Sequence, residues 1–600
     1  MSEDMYKKSG SDKFNIFDYI VIGAGTAGGV VAKKLTDDRH TSVLVLEPGI
    51  NSTAQLSSPN ILDAFFLGTD NKYAFNYLSR GEQSLQRQLT TVNGRVIGGS
   101  SEVNDMYAVR GSRQLYDEWS VITGEPRWSY NQVRPLFIEN ETYTGQTQSP
   151  NERGRQGPIF VRQQHIPANG LLETLTDATE TVLGIQTVVD YNTGIRDCTF
   201  LKGQYIQKEE GNTITRSSTA TGYLNESIIT QGNEFVSDEF GIGRRKLFIF
   251  GKTTVNKVLF KKKKGKMIAI GVKYVKDGVS HKSFARKGVI VSAGFHSSVI
   301  LQRSGIGKFS DLINAGIKPL IENPNVGYNL QTQASVGMGV RVDTSQLTPI
   351  LASDPNQPLV YGAFIAADKN SLAEGRRLQI LGAPAPFFLP NPVVLKKEWE
   401  FDLTKLTNIM SFGLIDLNPR SKGTIMAAHS DPEALPSFSF NPLQPDTNDL
   451  EFLVDQYINM YNIIVEARSH NSGIHEVVFP SEDIFTKPEV EKRILLRDFV
   501  RSSFANFFHY GGQCKMGKSI EDGVINGQLD VFGTTNLKVA DLSIAPILPD
   551  GNTSIPAQMI GLNAVRFIRE DSSPCVVDDD DFKDYEESES EDYEESESED

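Results

Sequence analysis

The chain has 600 residues, 39% of them hydrophobic, and a formal net charge of −15, which is enough apolar material for large cores and a length that suggests roughly two to four domains. No apolar run reaches the ~18 residues that span a bilayer, and Met1 to Asn15 is polar, without the apolar stretch of a signal peptide. Cys198, Cys514 and Cys575 are too few and too far apart for a disulfide framework or a cysteine-held metal site, so the expectation is a chain not secreted by a standard signal, in a reducing compartment such as the cytoplasm, with no metal and no membrane partner.

Taken in order, Phe17 to Ile22 is a run of β-branched and aromatic residues that stops at Gly23. A helix-forming segment follows from Val30 to Leu35, and a second β-rich run from Ser42 to Leu46 ends in Glu47. This is a βαβ unit with a dinucleotide fingerprint. Gly23 permits the tight turn, Gly25 lets backbone N–H groups approach a pyrophosphate, Gly28 lets helix and strand pack closely, and Glu47 is placed to accept hydrogen bonds from ribose hydroxyls. Further on, Gly98-Gly99-Ser100-Ser101 is a second stretch of unencumbered backbone that can lie against a flat or anionic ligand. Lys261 to Lys264, between Val258-Leu259-Phe260 and Met267 to Ile270, reads as the solvated tip of a β-hairpin, and Leu450 to Glu466, with Tyr457 and Tyr461, has helical periodicity. His470 and His475 lack the spacing of a metal or catalytic pair and read as structural.

The charge is concentrated at the end of the chain. Asp578 to Asp600 holds 15 acids and one lysine, −14 net, leaving only −1 for everything before it. Nucleic acid is therefore not indicated as a partner. The octapeptide Asp584 to Glu591 recurs at Asp592 to Glu599; such low-complexity acidic sequence buries too little apolar area to offset chain entropy, and a disordered tail is expected over 573–600.

Asn93-Gly94-Arg95-Val96-Ile97-Gly98-Gly99-Ser100-Ser101-Glu102-Val103-Asn104, coming after the first fingerprint, resembles the first signature of the glucose–methanol–choline family of flavin oxidoreductases. The resemblance recurs along nearly the whole body: at Trp128-Ser129-Tyr130, Arg216 to Ala220, Val289 to Gly307, Asn325 to Gln331, Phe508 to Gly517, Val539 to Ser543 and Pro549 to Pro556. It departs from the family pattern at Pro48, Asp105, Ser298, Thr332-Gln333, Tyr510, Gln513 and Ser554. The acidic repeat tail is similar to those of members carried by giant viruses of the mimivirus group.

The resemblance implies an α/β fold with a Rossmann-type FAD-binding domain assembled from 14–125, 236–330 and 500–572. Residues 126–235 and 331–499 would form a substrate domain, with an antiparallel sheet and helices, covering the flavin. It also implies cofactor contacts from Thr26, Ala27, Arg95, Gly98, Gly99 and Ser100. Further contacts would come from Asn104, Val255, Asp541, Asn552 and Thr553. A primary or secondary alcohol would be the small-molecule substrate, with His509 as base, since histidine's usual pKa near 6.5 suits that task, and Asn552 orienting the alkoxide. Some members attach flavin through a histidine where this chain has Val103; valine has no nucleophilic atom, so dissociable, non-covalent FAD is expected. A homo-oligomer, dimer or higher assembly, is expected. Two other roles fit the resemblance: a flavoprotein fold serving as a structural or coat component of a virion or fibre, and a hydroxynitrile lyase.

Overall fold

A computed structural model describes residues 16–51, 54–231, 237–354, 356–366, 374–388, 407–571, 575–578 and 581–582. Two large sheets carry the fold. The first is organised around the strand Ile16–Ile22, which pairs in parallel with Val43–Leu46 on one side and Val279–Val291 on the other. Leu247–Phe250 extends it beyond Val43–Leu46. The antiparallel pair Thr253–Lys263 and Lys266–Lys276 extends the far edge, and Leu537–Val539 adds a parallel strand beside Val279–Val291. Val43–Leu46 is buried at all four positions, as a parallel strand covered on both faces must be. The helix Gly28–Leu35 follows the first strand and packs against the last helix, Ser554–Glu570.

The second sheet is built on one long strand, Tyr328–Val342. Ile409–Asp416, Gly423–Met426, Ile474–Phe479 and Ala505–Gly511 all pair antiparallel with it. Arg376–Ala383, Tyr361–Ala366 and Cys198–Phe200 continue the sheet outward. The strand Ala505–Gly511 thus pairs in this sheet although the sequence placed it with the cofactor segments. The periodic stretch around Tyr457 is a helix, Asp449–His470, packed against Gly170–Leu183 and Glu489–Ser503. His470 and His475 form surface contacts with Glu466 and Asp343.

The lysine-rich hairpin is present, but Lys261 is not free at its tip. Lys261 and Lys263 each bridge Asp581 at 2.9 Å. Val577 and Phe582 are buried with Leu259, Ile268, Ile270 and Phe284. The packed body therefore reaches Phe582, further than the tail boundary expected at 573; the octapeptide repeats lie outside the described residues.

A buried ionic cluster ties the chain after the Gly98–Asn104 loop to the segments that follow it. The Arg153 guanidinium donates to Glu141 and Asp190, each at 2.8 Å, and Arg110 donates to the same Glu141. All four side chains are at most 3% exposed. A buried charge that loses its partner costs about 3–5 kcal/mol. Glu141→Ala, which takes the carboxylate partner from Arg110 and leaves Arg153 with Asp190 alone, is therefore expected to destabilise the protein by about that amount, measured as a lower Tm; an unchanged Tm would show that Glu141 contributes nothing to the fold.

Candidate active site

A cavity of about 1080 Å³ lies between the two sheets. Its floor is largely backbone. Gly23, at φ +98°, turns the chain out of the first strand, and a Cβ there would lie 2.6 Å from the Ser292 carbonyl oxygen. The turn meets the second glycine loop directly: Gly98 N–H donates to the Ala24 carbonyl at 2.8 Å, and a Cβ on Gly99, at φ +57°, would lie 2.7 Å from Gly25 Cα. Gly23, Gly25, Thr26, Ala27, Gly99 and Ser100 line the cavity. Gly28 and Gly98 do not, and their part is local. A Cβ on Gly28 would lie 2.1 Å from the Gly23 carbonyl oxygen, which is the close helix–strand packing expected of it.

Glu47 also lines the cavity. Its carboxylate accepts from Ala24 N–H and Gly49 N–H, each at 2.9 Å, and burial pushes its pKa up to about 7 despite those donors. Arg95, Val255, Asp541 and Thr553 line the same space. Asp541 accepts from Gly294 N–H at 2.8 Å and Ser297 Oγ at 2.6 Å, and Asn104 is held by Arg216, whose Nη1 donates to its carbonyl and to its Oδ1 at 2.8 and 2.7 Å. The helix Ser554–Glu570 starts at the cavity with no side chain capping its first turn. Its unpaired N–H groups and positive dipole end favour negative charge there. A glycine-lined floor, an uncapped helix end and a buried carboxylate set for sugar hydroxyls fit a dinucleotide such as FAD.

The roof carries His509. Opposite Gln333 the strand Ala505–Gly511 loses its regular register, since Thr332 pairs with Tyr510 and Ala334 with Asn506, leaving Phe507 to His509 bulged. Phe508 takes φ +57°, a sparsely populated conformation of the kind concentrated at functional sites. His509 faces the cavity, packed edge-on against Phe507 with ring centroids 5.1 Å apart, and its Nδ1 lies 2.7 Å from Gln333 Oε1. Burial, with no contribution from neighbouring charge, lowers its pKa to about 3. Asn552 sits on a turn anchored by Asp550, which accepts from Ser112 N–H at 2.8 Å and Arg376 N–H at 2.9 Å. Gln379 donates to Asn552 Oδ1 at 3.3 Å, leaving the Asn552 amide N–H groups for the cavity.

Some residues that matter here carried no functional signal in the sequence. Gln333 and Gln379 are amides in strands, and Phe387 and Phe388 join Phe507 and Phe508 in an aromatic wall that only the fold assembles. Asp105, noted only as a departure, lines the cavity too; burial raises its carboxyl to about 6, with Arg216 pulling the other way. Val103 is buried beside Ile50, Leu56, Tyr73 and Val96.

Floor, roof and the groups between them define a nucleotide-cofactor oxidoreductase. The family model for GMC oxidoreductases matches residues 17–335 in its N-terminal part and 419–561 in its C-terminal part; the chain belongs to the GMC oxidoreductase family and is an FAD-dependent oxidoreductase. It is 28% identical over 584 residues to an uncharacterized GMC-type oxidoreductase of Mycobacterium tuberculosis, covering 92% of this chain and 99% of that one. It is also 28% identical over 572 residues to an oxygen-dependent choline dehydrogenase of Acinetobacter baumannii, covering 91% and 95%. Among solved structures, pyridoxine 4-oxidase from Mesorbium loti superposes with a TM-score of 0.72 at 22% identity, covering 92% of this chain and 98% of that one. Formate oxidase does so with a TM-score of 0.75 at 19% identity, covering 94% and 99%. These two likenesses show the shared fold. Among the described residues no helix is long and apolar enough to cross a membrane.

The contact between the two glycine loops gives a direct test. Gly99→Ala forces a side chain into the left-handed region and against Gly25, a strain of about 1–3 kcal/mol. It is expected to weaken FAD uptake by about tenfold to hundredfold with the far-UV CD spectrum unchanged; uptake equal to wild type would mean that this contact does not shape the floor.

Proposed function

We propose that the protein oxidises the CH–OH group of a small-molecule alcohol, with His509 as the base and Asn552 as the donor that steadies the developing alkoxide. The observation that supports this most is that both side chains face one cavity and that one residue braces both: Gln333 touches His509 and also donates to the carbonyl of Gly551, next to Asn552, at 3.1 Å. Bound FAD would supply the acceptor for the hydride, and with it the two electrons, that leaves the substrate carbon. Within the chain, His509 takes the hydroxyl proton while the C–O bond becomes C=O. An Asn552 N–H directed at the alkoxide oxygen is worth typically ~3 kcal/mol, and the aromatic wall keeps water away from the exchange. Gly23, Gly25, Thr26, Ala27, Glu47, Gly99 and Ser100 would hold the cofactor. Since Val103 offers no nucleophile, binding is non-covalent, and denaturation should release all flavin. In domain terms, 14–125, 236–330 and 500–572 form the cofactor half and 126–235 and 331–499 the substrate half, with Ala505–Gly511 bringing the base to the second sheet.

His509→Ala is expected to retain FAD and to slow anaerobic flavin reduction by alcohol about 10²–10⁴-fold. Because burial lowers the His509 pKa to about 3, its neutral, proton-accepting form persists throughout pH 5–8, and protonation of His509 should not reduce the rate in that window. An acid limb near pH 6–7 would instead belong to Asp105 or Glu47, whose carboxyls burial raises to about 6 and about 7; the Asp105 share should vanish in Asp105→Asn. Wild-type reduction rates in His509→Ala would remove the base assignment.

A further inference from the structure

We infer that Gln333 fixes the tautomer of His509, placing the ring proton on Nδ1 and the lone pair on Nε2. The inference deepens the proposed alcohol oxidation by stating which nitrogen is the base and what holds it ready, and it rests on that reading only for its catalytic consequence.

The argument starts from the two ends of the Gln333 side chain. Its amide nitrogen lies 2.9 Å from the Pro549 carbonyl oxygen and 3.1 Å from the Gly551 carbonyl oxygen. Carbonyl oxygens only accept, so the end of the amide facing them must be the NH₂ group, and both of its protons are used. The other end, Oε1, can then only accept, and it lies 2.7 Å from His509 Nδ1. A contact that short between two lone pairs would be repulsive, so Nδ1 carries a proton and donates. In a neutral imidazole the second nitrogen is then unprotonated. Low pKa and amide orientation thus act together: burial keeps the ring neutral and Gln333 decides which neutral form it adopts.

The choice of an amide has a chemical consequence. A carboxylate behind the ring would also select the Nδ1–H tautomer, but its charge would favour the imidazolium and raise the pKa. The Gln333 carbonyl orients the ring without adding charge. Gln333 is itself fully buried, directly across from the bulge that carries His509. Because its other end grips the Pro549–Gly551 segment, it also sets the base in register with Asn552. Gln333 is a positioning residue.

The test reads the tautomer directly. In flavin-loaded full-length protein labelled with ¹⁵N-histidine, with the His509 signals assigned by their loss in His509→Ala, the ¹⁵N shifts at neutral pH should show protonated Nδ1 and unprotonated Nε2. Gln333→Met, similar in shape but without the amide, should shift the population toward Nε2–H, the form free histidine side chains favour, and slow flavin reduction at least about tenfold with FAD content retained. Gln333→Glu restores an acceptor facing Nδ1 and should restore the Nδ1–H signature. Protonated Nε2 in wild type, or an unchanged tautomer in Gln333→Met, would overturn the inference, whatever the protein does with alcohols. Conversely, the expected shifts in a protein that no alcohol reduces would leave the tautomer assignment standing and sink the proposed reaction.

Discussion

Two glycine-rich turns that touch through their backbones are the constraint on which the rest of the structure depends. The turn after the first strand and the loop at Gly98–Gly99 approach so closely that a Cβ on Gly99 would lie 2.7 Å from Gly25 Cα, and one backbone hydrogen bond staples them. The same zipping continues at Gly49, where a Cβ would lie 2.2 Å from the Arg95 carbonyl oxygen. A Cβ is excluded at each of these contacts, and Glu47 is left buried at the cavity's edge with two backbone donors.

Facing this floor across the cavity is the imidazole of His509, carried by the second sheet. The bulge at Phe507–His509 interrupts an otherwise regular antiparallel pairing with Tyr328–Val342 and aims the imidazole at the floor. Several departures from the family pattern are absorbed into this roof. Gln513 donates to the Gly294 carbonyl at 2.9 Å, Tyr510 stacks on Phe440 with ring centroids 5.3 Å apart, and Gln333 holds His509 and the Asn552 turn together. Tyr510, His509 and Asn552 all line the cavity.

The βαβ unit was legible in the sequence because its signals are local: a β-rich run, three glycines at fixed offsets, helical spacing and an acid. The hairpin at Lys261–Lys264 and the helix around Tyr457 were legible for the same reason. What stayed hidden depends on distant pairing. A 15-residue strand that receives four partners, from Ile409 to Gly511, leaves no short-range trace of its order. His509 and Asn552 were singled out through family motifs, whereas Gln333 registered only as an oddity. An amide's role is set by what faces each of its ends, and those partners lie 176 and more residues away. The packed residues Val577 and Phe582 were missed because two apolar side chains are invisible inside an acidic composition.

The most direct measurement is the anaerobic bleaching of the flavin-loaded protein by an alcohol and by the same alcohol deuterated at the carbinol carbon. Hydride leaving that carbon while His509 takes the hydroxyl proton requires stoichiometric bleaching, appearance of the carbonyl product, and a primary isotope effect on the bleaching rate. Flavin that stays oxidised with every alcohol offered, or that bleaches with no isotope effect and no carbonyl product, would contradict the assignment of this cavity to alcohol oxidation.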